Sequence, residues 1–278
     1  MRTQLVSIPT DTTPLDGAYY EPDQGAAAGA VLLFHGNTMN FYTGAPRFLP
    51  PSLTKLGLAC LAFNRRGHDI LTTRASRAAE GGAYQFTHEA IADNNTAAAW
   101  LADRGFTHPV VIGHSNGGML GVHHVAHHPQ TPALVLLSAA PGGRITDDSG
   151  GKEGLFAAGR LGEITAKAKK LVEAGRSREL IFMPGWWYVI SAESFLDRID
   201  TLPDTVGLAS GIHCPVLTLR GDKEERACYP VEEFQRHCSG PCTVEIVSNC
   251  DHFYNGREDY IAQILSSWLA KTLGLTTI

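Results

Sequence analysis

Residues 110–118 read Val-Val-Ile-Gly-His-Ser-Asn-Gly-Gly, an apolar, β-branched run that empties into Gly113-His114-Ser115-Asn116-Gly117. A helical stretch follows from Met119 to His128, and Ala133-Leu-Val-Leu-Leu137 reads as the next buried strand. With 29 Gly in the chain a bare G-x-S-x-G can arise by chance, but a chance match lacks the surrounding strand, turn, helix and strand. The pattern is that of a nucleophile elbow. A serine hydroxyl is a weak nucleophile, so it must be lifted on a tight turn where a base reaches it and nothing blocks the attack. Gly113 and Gly117 lack a Cβ, so strand and helix can approach closely while Ser115 takes a strained backbone conformation.

Two later segments offer an acid and a base. Cys214–Arg220 reads as a late strand and delivers Gly221-Asp222-Lys223-Glu224-Glu225 to its C-terminal end, where Asp222, Glu224 and Glu225 are all candidate carboxylates. Val244–Val247 reads as the last strand and ends in Cys250-Asp251-His252-Phe253-Tyr254, ahead of an amphipathic final helix from about Asp259 to Leu273. Of 12 histidines only His252 follows that strand, which makes it the candidate general base.

With serine, acid and histidine in this order, the chain resembles the α/β-hydrolase fold family over nearly its whole length. The resemblance implies an α/β fold, a mostly parallel central sheet flanked by helices, with a helical cap inserted over the active site. In the family's pattern the acid sits three residues after the glycine closing its strand, here Glu224. Aspartate is the commoner residue there, so Asp222 stays the alternative acid and Glu225 a third. The acid's work is to hold the imidazole tautomer and stabilise the imidazolium. Glutamate adds a methylene, and the long stretch from Glu224 to Pro230 reads as a loop that accommodates it.

The early buried strand Val31–Phe34 runs into His35-Gly36-Asn37-Thr38, which resembles the family's His-Gly loop. The backbone N–H groups of Asn37 and Asn116 are then the expected oxyanion hole, and the His35 ring reads as a pin for its loop. Asn64-Arg65-Arg66-Gly67-His68-Asp69, after strand Ala59–Phe63, resembles the family's Arg-Gly turn and reads as scaffold.

At 278 residues the chain is long enough for a two-sided core, expected from residues 1–142 and 211–278, with 143–210 as the cap. The cap sequence has a helical pattern from Leu161 to Ala174, then Ile181-Phe-Met-Pro-Gly-Trp-Trp-Tyr-Val-Ile190 and a second helical piece near Ala192 to Ile199. Trp186, Trp187 and Tyr188 are either cap core or one apolar wall of a pocket, and Met39, Phe41 and Tyr42 past the oxyanion loop are a second wall.

A hydrophobic fraction of 44% and a net charge of −5 without a dense basic stretch argue against nucleic acid as a partner. No run approaches the ~20 apolar residues of a membrane span, and a cytoplasmic location is the expectation. Five of six cysteines (Cys214, Cys228, Cys238, Cys242, Cys250) fall in the C-terminal quarter, yet no C-x-x-C pair exists, so neither zinc nor a disulfide framework is expected. His123, His124, His127 and His128 have i, i+4 metal-ligand spacing, but no glutamate stands among them as in H-E-x-x-H, and no metal or cofactor is expected. A dinucleotide site is excluded because Phe34-His35-Gly36-Asn37-Thr38 has nothing of G-x-G-x-x-G.

The expectation is a serine hydrolase of carboxylic esters acting through an acyl-enzyme, with a small-molecule ester or lactone as partner. His35–Gly44, Gly113–Gly118 and Met183–Arg198 are similar to cytosolic resistance-type serine esterases that open macrolide lactones. The same triad also runs amide, thioester and carbon–carbon bond hydrolysis, and a non-catalytic binder on this scaffold would be expected to have lost a triad residue.

Overall fold

Residues alternate between the two faces of a strand, so the unbroken apolar runs of this sequence make strands that are buried on both sides. The computed structural model describes residues 1–23, 25–73, 77–146, 157–185 and 188–275. Eight strands form one sheet in the spatial order β1 (Arg2–Ile8), β2 (Leu15–Glu21), β4 (Leu58–Phe63), β3 (Gly29–Phe34), β5 (Val110–His114), β6 (Leu134–Leu137), β9 (Val216–Gly221), β10 (Cys242–Val247). β2 runs antiparallel to both β1 and β4; all other neighbours are parallel.

Val31, Leu33, Ile112, Val135 and Leu219 face one layer, formed by α1 (Ala45–Phe48), α2 (Pro50–Lys55) and α8 (Glu258–Leu273). Leu32, Phe34, Val111, Leu136 and Val216 face the other, formed by α3 (Thr87–Ala102), α4 (Asn116–His127) and α7 (Val231–His237). Because the central strands are parallel, their C-terminal ends lie along one edge, and the loops leaving β3, β5, β6, β9 and β10 meet there.

The inserted segment departs from a purely helical cap. Between α5 (Leu161–Glu173) and α6 (Ala192–Thr201) stands an antiparallel hairpin of β7 (Leu180–Met183) and β8 (Tyr188–Ser191). Leu161, Ile164, Ala168 and Leu171, at helical spacing on α5, pack with Ile181, Met183, Tyr188, Ile190 and Phe195 into a core of their own. Tyr188, expected as a possible pocket wall, therefore belongs to that core: the β8 register turns its ring inward, 4% exposed.

This unit is tied to the sheet layers by polar contacts. The Ser191 N–H donates to the Ala83 carbonyl at 2.7 Å. α3 begins after Phe86, whose side chain offers the first-turn amides no acceptor; Asp197 of α6 supplies one, taking the Thr87 N–H at 2.7 Å and the Thr87 hydroxyl at 2.9 Å. Among the described residues no helix is long and apolar enough to cross a membrane.

Candidate active site

Ser115 sits between β5 and α4 with φ 56° and ψ −120°, outside the regions favoured by side-chain-bearing residues. The turn closes only because its glycines are bare. A Cβ on Gly113 would lie 2.2 Å from the Gly117 carbonyl oxygen, and one on Gly117 2.3 Å from that of Phe34.

The later strands bring two partners to this hydroxyl. His252 Nε2 is 3.0 Å from Ser115 Oγ, and His252 Nδ1 is 2.7 Å from Glu224 Oε1. An ionised carboxylate only accepts, so Nδ1 carries the proton and Nε2 is left to accept from the serine. Glu224 is almost fully buried, and its second oxygen accepts from the Gly221 N–H and the Ser138 hydroxyl, each at 2.6 Å. Three donors compensate the cost of burying this carboxylate. Arg220, buried on β9, donates to the Glu224 carbonyl at 3.0 Å and pairs with Glu232 of α7, which fixes the loop from behind.

Asp222 and Glu225 do not share this role. Asp222 points to the neighbouring loop, accepting from the Cys250 N–H at 3.1 Å, and the backbone amides of Asn249 and Cys250 hold its carboxyl below the usual range. Glu225 is exposed. The stretch from Glu224 to Pro230 does more than absorb a methylene: it folds back to lay Tyr229 on the His252 ring, with centroids 4.7 Å apart and planes 27° apart. On another side His114 lies 4.8 Å from the same ring and is 2% exposed. Burial, and then the nearby His252, push the His114 imidazole down to about 3.

The loop after β3 is held from behind by its histidine. The buried His35 ring accepts from the Arg65 N–H at 3.2 Å through Nε2 and contacts the Gly36 carbonyl at 2.8 Å through Nδ1, so it pins the loop to the turn after β4. Among the described residues the backbone N–H groups of Asn37 and Asn116 have no hydrogen-bond partner. The Asn37 side chain accepts from Arg198 of α6 at 3.3 Å, so the inserted segment reaches this loop directly.

The apolar residues expected around the site divide. Met39 folds against Gly36 and Gly44. Phe41 packs on the core layer beneath, while Tyr42 is 54% exposed and meets it edge to face. Trp186 and Trp187 lie outside the described residues. Phe253, which the sequence reading passed over, stands edge to face with His252 at 5.1 Å and is 55% exposed.

The four-histidine stretch lies away from this edge. His124 is buried edge-on to Phe34, and His123 and His127 stack at 4.2 Å along the outside of α4. Among the described residues no group of three or more potential ligands is placed to hold a metal ion, and all six cysteines are free thiols.

A hydroxyl on a strained strand-to-helix turn, with an imidazole and a carboxylate delivered from two later strands of a parallel sheet, defines the class of protein. The chain belongs to the α/β hydrolase fold family, whose model matches residues 29–178. No curated protein matches it by sequence. Similar solved structures include Est1E from Butyrivibrio proteoclasticus, 16% identical over 97% of this chain and 99% of that one with a TM-score of 0.67. GrgF from Penicillium sp. sh18 is 14% identical over 99% and 100%, with a TM-score of 0.73. A thermostable carboxyl esterase from Bacillus coagulans is 14% identical over 98% and 99%, with a TM-score of 0.71. These likenesses establish a shared fold.

Proposed function

We propose that this protein is a serine hydrolase that cleaves carboxylic esters in two steps. The observation that carries this reading is the row Ser115 Oγ, His252 Nε2, His252 Nδ1, Glu224 Oε1, with successive contacts of 3.0 and 2.7 Å. Ser115 Oγ attacks the ester carbonyl carbon as His252 Nε2 takes its proton. The N–H groups of Asn37 and Asn116 receive the oxyanion. His252 then protonates the leaving alcohol, and water repeats the cycle on the acyl-enzyme, freeing the acid and Ser115. Glu224 keeps the proton on Nδ1 throughout and stabilises the imidazolium.

The substrate proposed is a bulky, mostly apolar ester, a macrocyclic lactone of the macrolide kind among them. Phe253 beside His252 and Tyr42 beyond the oxyanion loop leave aromatic surface in solvent, and such surface contributes to affinity at roughly 25 cal/mol per Å² when a ligand covers it. One of the structural relatives, that from Bacillus coagulans, carries an esterase name.

A serine-directed phosphonate tests the reaction. It is expected to add its mass at Ser115 and abolish hydrolysis of p-nitrophenyl acetate; full activity after complete labelling elsewhere would overturn the reading. Comparing p-nitrophenyl acetate with a macrocyclic lactone tests the substrate.

A further inference from the structure

The hydrogen-bond row does not stop at Glu224. Its Oε2 accepts from Ser138 Oγ at 2.6 Å, and Ser138 Oγ lies 2.7 Å from Tyr254 Oη. Since the ionised carboxylate only accepts, the Ser138 proton points to Glu224 and the Tyr254 hydroxyl donates to Ser138. Both hydroxyl-bearing residues are buried, Ser138 at 0% and Tyr254 at 1% exposed. Burial and the nearby Glu224 carboxylate push the Tyr254 phenol well above its ordinary range, so it stays a donor.

The backbone gives a second, independent observation. Among the described residues seven non-glycine positions have positive φ, and three of them stand on this row: Ser115 at 56°, Ser138 at 45° and Tyr254 at 61°. Each such conformation is costly for a residue with a Cβ and persists only where its surroundings hold it. Ser138 leaves β6 and Glu224 follows β9, neighbouring strands in the sheet, so the carboxylate bridges two loops of one edge.

We propose that Ser138 and Tyr254 are positioning residues that fix the Glu224 carboxylate against His252, and that this continuation is what makes glutamate, and not aspartate, the acid of this site. An aspartate is shorter by one carbon–carbon bond, about 1.5 Å. From the same backbone position its carboxylate cannot meet His252 Nδ1 and Ser138 Oγ together. The proposal rests on the serine-hydrolase reading.

Its test is steady-state hydrolysis of p-nitrophenyl acetate by the full chain, with kcat, KM and the pH dependence of kcat/KM measured for Tyr254→Phe, Ser138→Ala and the double variant. Ser138→Ala is expected to lower kcat roughly tenfold with KM unchanged, Tyr254→Phe by about half as much on a logarithmic scale, and the pair no more than Ser138→Ala alone. A carboxylate that loses donors is a stronger acceptor for the imidazolium. The acid limb of kcat/KM therefore moves to higher pH. The groups facing the pair are Tyr229, Tyr254, His114, Cys250 and Arg220, and the substitutions alter only Tyr254 among them.

Glu224→Asp is expected to cost far less in the Ser138→Ala background than in the parent. A parent-like kcat and acid limb in folded Tyr254→Phe and Ser138→Ala, or independent additive losses, would overturn the proposal, even if melting temperatures fall. Should Ser138→Ala not fold, Tyr254→Phe decides by the limb alone. Hydrolysis surviving in Ser115→Ala would instead remove the reading beneath it.

Discussion

His114 donates from Nε2 to the carbonyl oxygen of His252 at 2.8 Å while its ring lies under the His252 ring. One side chain thus fixes both the backbone and the ring of the proposed base. The other nitrogen, Nδ1, is buried without a hydrogen-bond partner among the described residues, in a space where a Cβ on Gly36 would come within 3.3 Å. A histidine held neutral down to about pH 3 next to His252 adds no charge to oppose imidazolium formation over the working range. His114→Phe, which keeps the ring and loses the bond, is expected to lower kcat about tenfold with little change in KM. Unchanged kcat would show that the bond to the His252 carbonyl is dispensable.

Ser115→Ala is expected to remove hydrolysis of p-nitrophenyl acetate by several orders of magnitude while changing stability by no more than about 1 kcal/mol, because the hydroxyl takes part in no core packing. Parallel kinetics and thermal melts check both halves.

Glu224→Gln is expected to cut kcat roughly ten-thousandfold by favouring the wrong tautomer of His252. Asp222→Asn is expected to do far less, since Asp222 serves the Cys250 amide. Kinetics of the two variants side by side check this, and the opposite ranking would move the acid to Asp222.

Acid should destabilise the fold through its buried histidines. His114 and His124 are both pushed down to about 3, mainly by burial, and His35 is also lowered well below the ordinary value of 6.5. Between these values the unfolded chain binds protons that the folded chain refuses, so stability falls as pH drops below about 6.5, by at most 1.4 kcal/mol per unit for each histidine. Melting temperatures from pH 7.5 to 4.5 are expected to decline, and His124→Leu to flatten the slope. An equal slope in that variant would assign the decline to other groups.

Phe253→Ala and Tyr42→Ala are expected to raise KM strongly for a macrolactone and barely for p-nitrophenyl acetate, which is too small to cover these exposed rings. Equal effects on both substrates would mean that the rings serve the protein and not the ligand.

The inner strands β3, β4, β5, β6 and β9 were legible because each is a short, largely apolar run ending in glycine or polar residues. β1 was not: it is an edge strand whose first four residues are exposed, so it lacks a buried face to mark it. α3 was hidden for a related reason, being rich in alanine with little contrast between its faces. Ser115, Glu224 and His252 were recognisable from their places at strand ends. Ser138 occupies the same kind of place after β6, a signal that was available in the sequence. Tyr229 and Arg198 were not, since what matters in each is a contact made across the fold with no local pattern. Tyr188 misled because an aromatic in an aromatic run looks the same whether its strand turns it inward or out.

Asp197 and Arg198 are adjacent on α6, and they face different tasks: one serves the start of α3, the other the side chain of Asn37. The inserted segment is consequently not an interchangeable module. Engineers who replace it with the corresponding piece of a relative would leave the Thr87 amide without its acceptor and the loop of Asn37 without its brace, unless both side chains travel with the graft. A chimera carrying only the new pocket walls would be a weakened enzyme for reasons unrelated to its pocket.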